Sequence, residues 1–108
     1  MSEEYTEDLQ KLYLEFLLAD KDLFVRCNAI TSSKYFVRKY QPVMDFIQEH
    51  VDGYGDLPTH EQIKAKVRIE FDDVRAKITD DHKKWFMDEY EKFCRHKALE
   101  GAILESAD

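Results

Sequence analysis

Two cysteines and four histidines are the residues that could bind a metal ion, and their spacing does not favour that role. Cys94 and His96 are two positions apart, so on a helix their side chains point about 200° apart and cannot share one zinc ion. The other histidines, His50, His60 and His82, are not spaced as zinc ligands. The sequence therefore predicts no metal site and no bound cofactor.

The side chains needed for catalysis are present but are not arranged for it. A phosphate-binding loop needs clustered glycines followed by lysine, whereas the three glycines here are dispersed and none precedes Lys-Thr or Lys-Ser. The abundant carboxylates fall on predicted solvated helix faces, which disfavours a paired acid–base site. Two small basic clusters are also expected to be solvated helix faces: Lys34, Arg38 and Lys39, and Lys64, Lys66 and Arg68. We therefore predict no catalytic residue.

Composition narrows the class of protein further. The 108 residues carry a net charge of −7 and 36% charged residues, which argues against DNA phosphate as the main partner. The acidic start, MSEEYTED, is unlike a signal peptide, and no apolar run approaches the length of a membrane span. Two cysteines are ordinary for a reducing cytosol, where free thiols are favoured over the alternative of a disulfide. A cytoplasmic protein with no membrane partner is expected.

Periodicity and capping signals predict an all-α fold. Apolar spacing indicates a first helix over residues 6–19, and Asp20 is a good N-cap for a second helix that turns Leu23, Phe24 and Cys27 inward. A third helix is expected from about residue 38 or 40 to Val51, with Pro42 in its first turn and Gly53 and Gly55 ending it. Its inner face is expected to comprise Val43, Phe46, Ile47 and Val51. The irregular segment 30–40 precedes it, and Tyr35 and Phe36 are expected to pin this segment to the core through a single helical turn.

Thr59 and Gln62 form a capping-box pattern for a fourth helix, whose Ile63, Val67 and Phe71 are expected to face the core. Residues 72–78 then form a polar connection, and a fifth helix runs from Thr79 as N-cap to the end. These signals divide the chain into a small helical globule, 1–78, and a long helix, 79–108, within one domain overall.

The length of the last helix is its most informative property. Thirty residues span about 45 Å, whereas a globule of the preceding residues is only about 30 Å across. The helix is therefore expected to project partly from the body. One apolar stripe comprises Phe86, Tyr90, Phe93 and Leu104, flanked by Met87, Cys94 and Ala98. A second comprises Trp85, Leu99 and Ile103.

A surface helix needs only one apolar stripe, so the second predicts a partner interface at Trp85, Leu99 and Ile103. The alternative is that both stripes belong to the core of a compact bundle.

Three stretches of the chain resemble the N-terminal domain of DnaB-family replicative helicases, specifically the phage branch. They are LLADKDLF followed by ITSSKYF, then FIQEHVDGYGDLPTHEQI, and finally EKFCRHKALEGAILESAD, which is similar to the long helix that opens the domain's helical hairpin. The resemblance spans nearly the whole chain and rests on packing and capping patterns.

The resemblance implies a non-catalytic collar domain, in which hairpins pair between subunits and the domains form a ring, a trimer of dimers, above the ATPase ring. It implies contacts with primase and with the helicase loader. ATP and Mg²⁺ belong to a separate RecA-like domain of the parent protein, which this sequence lacks. The chain also lacks the returning helix of the hairpin, so it is interpreted as an excised fragment that contains the first half of the hairpin.

For this chain we predict a monomer or weak dimer, as opposed to the hexamer of the parent. It is not expected to be an enzyme itself or to bind DNA strongly. The alternative is a small, complete acidic helical adaptor or regulator that binds a host protein, if the chain is phage-encoded. A hydrolase that uses the carboxylates is the other open alternative.

Overall fold

The computed structural model of the protein describes residues 5–106 and, within the last helix, side chains up to residue 100. Helix starts in this structure follow the capping residues of the sequence. In this part of the chain there are five α-helices, one 3₁₀ turn and no strands. They are α1 (Glu7–Ala19), α2 (Lys21–Asn28), the 3₁₀ turn (Ser33–Tyr35), α3 (Gln41–Tyr54), α4 (His60–Val67) and α5 (Asp80–Ser106). The prediction of an all-α fold with a long last helix is confirmed.

Short-range hydrogen bonds explain where α1, α2 and α4 begin. The Thr6 hydroxyl accepts from the Leu9 amide at 3.2 Å, and the Asp20 carboxylate accepts from the Asp22 amide at 2.9 Å. At α4 the capping box is complete, because the Thr59 hydroxyl accepts from the Gln62 amide and the Gln62 side chain accepts from the Thr59 amide. Each bond satisfies a backbone donor that the first helical turn leaves free.

Helix α3 begins as predicted with Pro42 in its first turn, but its end differs from the prediction in one respect. Only Gly55 ends the helix, with a left-handed φ of 73° and its amide donating to the Val51 carbonyl at 2.8 Å. Gly53 lies inside α3. A helix needs a single left-handed residue to stop it, and Gly55 supplies it.

One hydrophobic core is shared by all five helices, and α5 provides three of its largest buried rings. Phe86, Tyr90 and Phe93 are fully buried. The ring of Tyr13 from α1 packs against all three, with centroids 5.3 to 5.9 Å apart. The first predicted stripe of α5 therefore faces the body, as far as side chains are described; Leu104 lies outside the described side chains.

The exposed half of α5 begins after Cys94. The whole of α5 has 27 residues and spans about 40 Å. This length is close to the longest extent of the molecule, 42 Å. From Arg95 to Glu100 every described side chain is exposed or half-buried. The helix thus runs along the body for its first four turns and carries its solvated turns at the C-terminal end.

The predicted polar connection 72–78 is anchored to the body. Phe71 and Val74 are buried, and the Asp72 amide donates to the buried Glu15 carboxylate at 2.8 Å. These contacts fix the path that the chain takes from α4 to the start of α5.

Candidate protein-interaction surface

Two of the three residues predicted to form a partner interface, Trp85 and Leu99, lie apart on α5. Trp85 and Leu99 are 42% and 61% exposed, as an interface requires, whereas the side chain of Ile103 lies outside the described side chains. Trp85 and Leu99 are about 21 Å apart along the helix axis. Lys92, seven residues from each, lies between them on the same face and is exposed. This charge divides the predicted second stripe into two separate sites.

Trp85 contributes to the body as well as to the surface. Its ring lies beside that of Phe16 from α1, with centroids 6.1 Å apart. The exposed part of the indole is therefore the edge of a partly packed ring.

An apolar groove lies between α5 and the segment after α2. The groove has a volume of about 380 Å³ and is lined by Ile30, Tyr35, Glu91, Cys94, Arg95 and Ala98. Leu99 does not line the groove itself, but it follows Ala98 and lies one turn after Arg95, so it neighbours two lining residues on α5. We call Ile30, Tyr35, Ala98 and Leu99 the α5 patch. Ile30 is 42% exposed, so the patch has two largely exposed aliphatic side chains.

Hydrogen bonds hold Ile30 beside α5. The Ile30 amide donates to the Cys27 carbonyl at 3.1 Å, and the Thr31 hydroxyl donates to the same carbonyl at 2.8 Å. The Thr31 hydroxyl also lies 2.8 Å from the Tyr90 hydroxyl of α5. The turn that presents Ile30 is therefore tied to both α2 and α5.

Ion pairs surround the apolar part of the patch. Arg95 lies 2.7 Å from Glu91, and Glu100 lies 2.8 Å from His96 and 3.4 Å from Lys97. Exposed pairs of this kind contribute only about 0–1 kcal/mol to stability. Their effect here is to give the apolar groove a polar rim, which is the usual anatomy of a protein interface.

Sequence reasoning identified Leu99 but missed the other members of the α5 patch. Ala98 was assigned to the flank of the core stripe, and Tyr35 was expected to pin its segment to the core. Ile30 lies in an irregular segment, where no periodicity predicts which side chains are exposed. Proximity of this segment to α5 arises from tertiary packing alone.

Both cysteines are buried free thiols, as their predicted place in the core implies. Burial raises the pKa of Cys27 to about 11 and that of Cys94 to about 12. The Cys27 thiol lies 3.6 Å from the Met87 sulfur. A thiol with so high a pKa is a poor nucleophile. Among the described residues no group of three or more His, Cys, Asp or Glu side chains is placed to hold a metal ion.

A second, polar cleft lies between the α1–α2 junction, the segment that leads from α3 into α4, and residues 71–75, with a volume of about 670 Å³. Several of its charged groups have partners: the Arg75 side chain donates three hydrogen bonds to the Asp73 carboxylate, and Lys21 donates to the Gly55 carbonyl at 2.6 Å. The Arg75 side chain holds the pKa of Asp73 well below its usual range. Ion pairing of this kind makes the Asp73 carboxylate a weak base.

No family model, curated protein or solved structure matches the chain. Within residues 5–106, none of the helices combines the length and apolar content needed to cross a bilayer. The α5 patch therefore stands as the candidate site on its own geometry.

Proposed function

We propose that this chain is a non-catalytic N-terminal collar domain of a DnaB-type replicative helicase and that it works in the cytoplasm. In this role α5 mediates self-association, and the domain contacts primase and the helicase loader. ATP hydrolysis and DNA translocation belong to another part of the parent protein. The resemblance of three stretches of the sequence to this family is one support for the proposal.

The observation that carries the proposal is the contrast along α5. Phe86, Tyr90 and Phe93 are fully buried, whereas Leu99, only six residues after Phe93, is 61% exposed. A large aliphatic side chain beside an apolar groove with a polar rim is what an assembly surface needs. A collar domain would use this end of the helix to contact a neighbouring subunit.

The size of the patch decides how strong that association can be. Burying the exposed parts of Leu99 and Ile30 contributes on the order of 2 kcal/mol per subunit. Association costs at least about 4 kcal/mol in lost translational and rotational freedom. A dimer that buries two such patches therefore gains little net free energy, which supports a monomer or weak dimer for this chain and a hexamer only in the parent.

Light scattering over a concentration series tests the assembly role. We expect the mass of the wild-type chain to rise from monomer towards dimer, and Leu99→Glu to stay monomeric at every concentration. Glutamate preserves helix propensity, so the variant isolates the loss of apolar contact. Val25→Glu is the matched control, because Val25 is 56% exposed but lies on α2 and not on α5.

A stable hexamer at micromolar concentration would contradict the predicted monomer or weak dimer. Equal association of the wild type and Leu99→Glu would contradict the assembly role of the α5 patch. The collar role itself is tested with the coding sequence that follows Asp108. A linker and a glycine-rich P-loop there would support it, and a stop codon would favour an adaptor. Capture of the cognate primase by the parent protein, lost in Leu99→Glu alone, would link the patch to that partner.

A further inference from the structure

An aromatic ladder runs along the exposed edge of α3. Phe46, His50 and Tyr54 are spaced by four residues, which places their rings one above the other on a helix. The ring centroids are 5.9 Å apart for Phe46 and His50 and 4.7 Å apart for His50 and Tyr54. Tyr54 is 79% exposed, the largest value among the large hydrophobic side chains of the described chain.

The ladder is held in place before any partner binds. The His50 ring donates from Nδ1 to the Asp56 carbonyl at 2.9 Å, because a carbonyl can only accept. Gly55, immediately after Tyr54, caps α3 in the left-handed conformation, and its carbonyl accepts from Lys21 at 2.6 Å. The His50 ring and the backbone that carries Tyr54, fixed in this way, lose little conformational entropy on binding.

Helix α4 forms the opposite wall of a groove with a volume of about 680 Å³, lined by Phe46, His50, Tyr54, Gln62, Ala65 and Lys66. Ala65 leaves room between the walls. The Gln62 carbonyl oxygen is used by the Thr59 amide, and its amide nitrogen has no bond among the described residues. Lys66 forms no ion pair with any described residue, so it is available to a ligand.

The shape and chemistry of the groove select the conformation of its occupant. Its walls span about eight helical residues, or about 12 Å, which matches four residues of polyproline II at 3.1 Å each. Two helices expose no sheet edge, so an added β-strand would find no backbone partners. A polyproline II segment needs none, because its backbone stays hydrated. Aromatic-lined grooves are the usual sites for such segments.

Charge restricts the sequence of the occupant. Lys66 is the one cationic side chain that lines the groove, while the whole chain carries a net charge of −7. Nucleic acid needs several clustered cations and is disfavoured here. A single carboxylate on the peptide would be attracted by Lys66 without the repulsion that a long acidic tract would meet.

We propose that the α3–α4 groove binds a proline-rich peptide segment of a partner protein, with proline rings on the aromatic ladder and one acidic residue at Lys66. The groove lacks every residue of the α5 patch, so this interaction goes beyond the proposed self-association and does not depend on it.

Two terminally blocked octaproline peptides, one with a central glutamate and one with a central lysine in its place, serve as probes for calorimetry and amide chemical-shift mapping on the 108-residue chain. We expect the glutamate peptide to bind more tightly and to shift amides of α3 and α4. Tyr54→Ala should weaken binding by about tenfold or more, and Tyr54→Phe should retain it because the ring provides the contact. Tyr54 is so exposed that neither variant should alter the fold.

Charge reversal provides the second test. Lys66→Glu should weaken binding of the glutamate peptide by up to about fivefold, which is the range of an exposed ion pair. The same variant should bind the lysine peptide more tightly than wild type does. Lys77→Glu makes the same change in net charge away from the groove and should leave both affinities unchanged.

The proposal is wrong if neither peptide binds, if Tyr54→Ala binds as well as wild type, or if the shifts map to the α5 patch. It is equally wrong if Tyr54→Ala abolishes self-association, which would make the groove a contact between copies.

Discussion

The Tyr90 hydroxyl lies 2.8 Å from the Thr31 hydroxyl, and this bond ties the segment that carries Ile30 to the central helix α5. The Thr31 hydroxyl hydrogen is directed to the Cys27 carbonyl, so Tyr90 must donate and Thr31 accept. Burial raises the pKa of Tyr90 well above its usual value, which keeps the phenol protonated as this arrangement requires.

This direction of donation predicts unequal effects for the two partners. Tyr90→Phe should lower the free energy of unfolding by about 1 kcal/mol, because Thr31 keeps its bond to the Cys27 carbonyl. Thr31→Val should cost more, up to about 3 kcal/mol, because it leaves the buried Tyr90 hydroxyl without an acceptor. Urea denaturation of both single variants and the double variant measures this. A double variant as destabilised as the sum of the singles would exclude the bond as a source of stability.

A salt bridge between α2 and α5 predicts part of the acid sensitivity of the fold. The Asp20 carboxylate caps α2 and lies 2.9 Å from the Lys83 ammonium, whose hydrogen bond lowers the pKa of Asp20. A carboxylate with a depressed folded pKa stabilises the protein above its unfolded pKa of about 3.9, and this contribution is lost as the pH falls further.

Asp20→Asn keeps a good N-cap residue and removes only the charge. We therefore expect Asp20→Asn to lower the urea midpoint at pH 7. The difference in urea midpoint between this variant and wild type should shrink as the pH falls through about 3.9. Lys83→Met should show the same convergence. The urea midpoints of Asp20→Asn and wild type could instead differ by the same amount from pH 7 down to pH 3. That result would assign the stabilisation to the cap and not to the ion pair.

Buried thiols predict resistance to thiol reagents and a loss of stability in alkali. The pKa values of Cys27 and Cys94 are raised to about 11 and about 12, whereas unfolded cysteine ionises near 8.5. Above about pH 8.5 the unfolded chain releases these protons first, so the free energy of unfolding falls as the pH rises.

At pH 8 neither thiol should react with Ellman's reagent in the native protein, and both should react in guanidinium chloride. The variant Cys27→Ala/Cys94→Ala should show a flatter decline of stability between pH 8.5 and 11 than wild type, although its stability at pH 7 is lower because it leaves cavities. Rapid modification of one native thiol would show that it is accessible.

The sequence predicted well those features of the fold that depend on local signals. Asp20, Thr59 and Thr79 were expected to cap helices because an N-cap depends on residues two or three positions away, and each forms its bond. Burial of Phe86, Tyr90 and Phe93 also followed from spacing, since one face of a helix must meet the core.

The sequence placed Trp85 and Leu99 on one stripe because a helical wheel records only the angle around the helix axis. It ignores the distance along the axis, which separates the two side chains. Phe46 was assigned to the inner face of α3, but it is only half-buried and lines the α3–α4 groove. It lies at the boundary of the apolar face, where the position of α4 decides exposure. The closeness of Ile30 to Ala98 depends on tertiary packing and has no local signal.

The start of α5 contains a capping box in which histidine takes the place usually held by glutamate or glutamine. The Thr79 amide donates to His82 Nδ1 at 3.1 Å, and the His82 amide donates to the Thr79 hydroxyl at 3.3 Å. The same geometry occurs at α4 with Gln62 as the third residue. His82→Gln should therefore keep the stability of the protein, whereas His82→Ala should lower it by about 0.5–1 kcal/mol.

Thermal or urea denaturation of the two variants at pH 7.5 distinguishes capping from side-chain packing, because glutamine and histidine share the acceptor and differ in shape. Thr79→Ala should cost about as much as His82→Ala or somewhat more, since it removes the hydroxyl that accepts from the His82 amide. Equal losses in His82→Gln and His82→Ala would show that the imidazole acts through its ring and not as a hydrogen-bond acceptor. That result would leave the Thr79 hydroxyl as the side-chain cap of the helix on which the core and the α5 patch both depend.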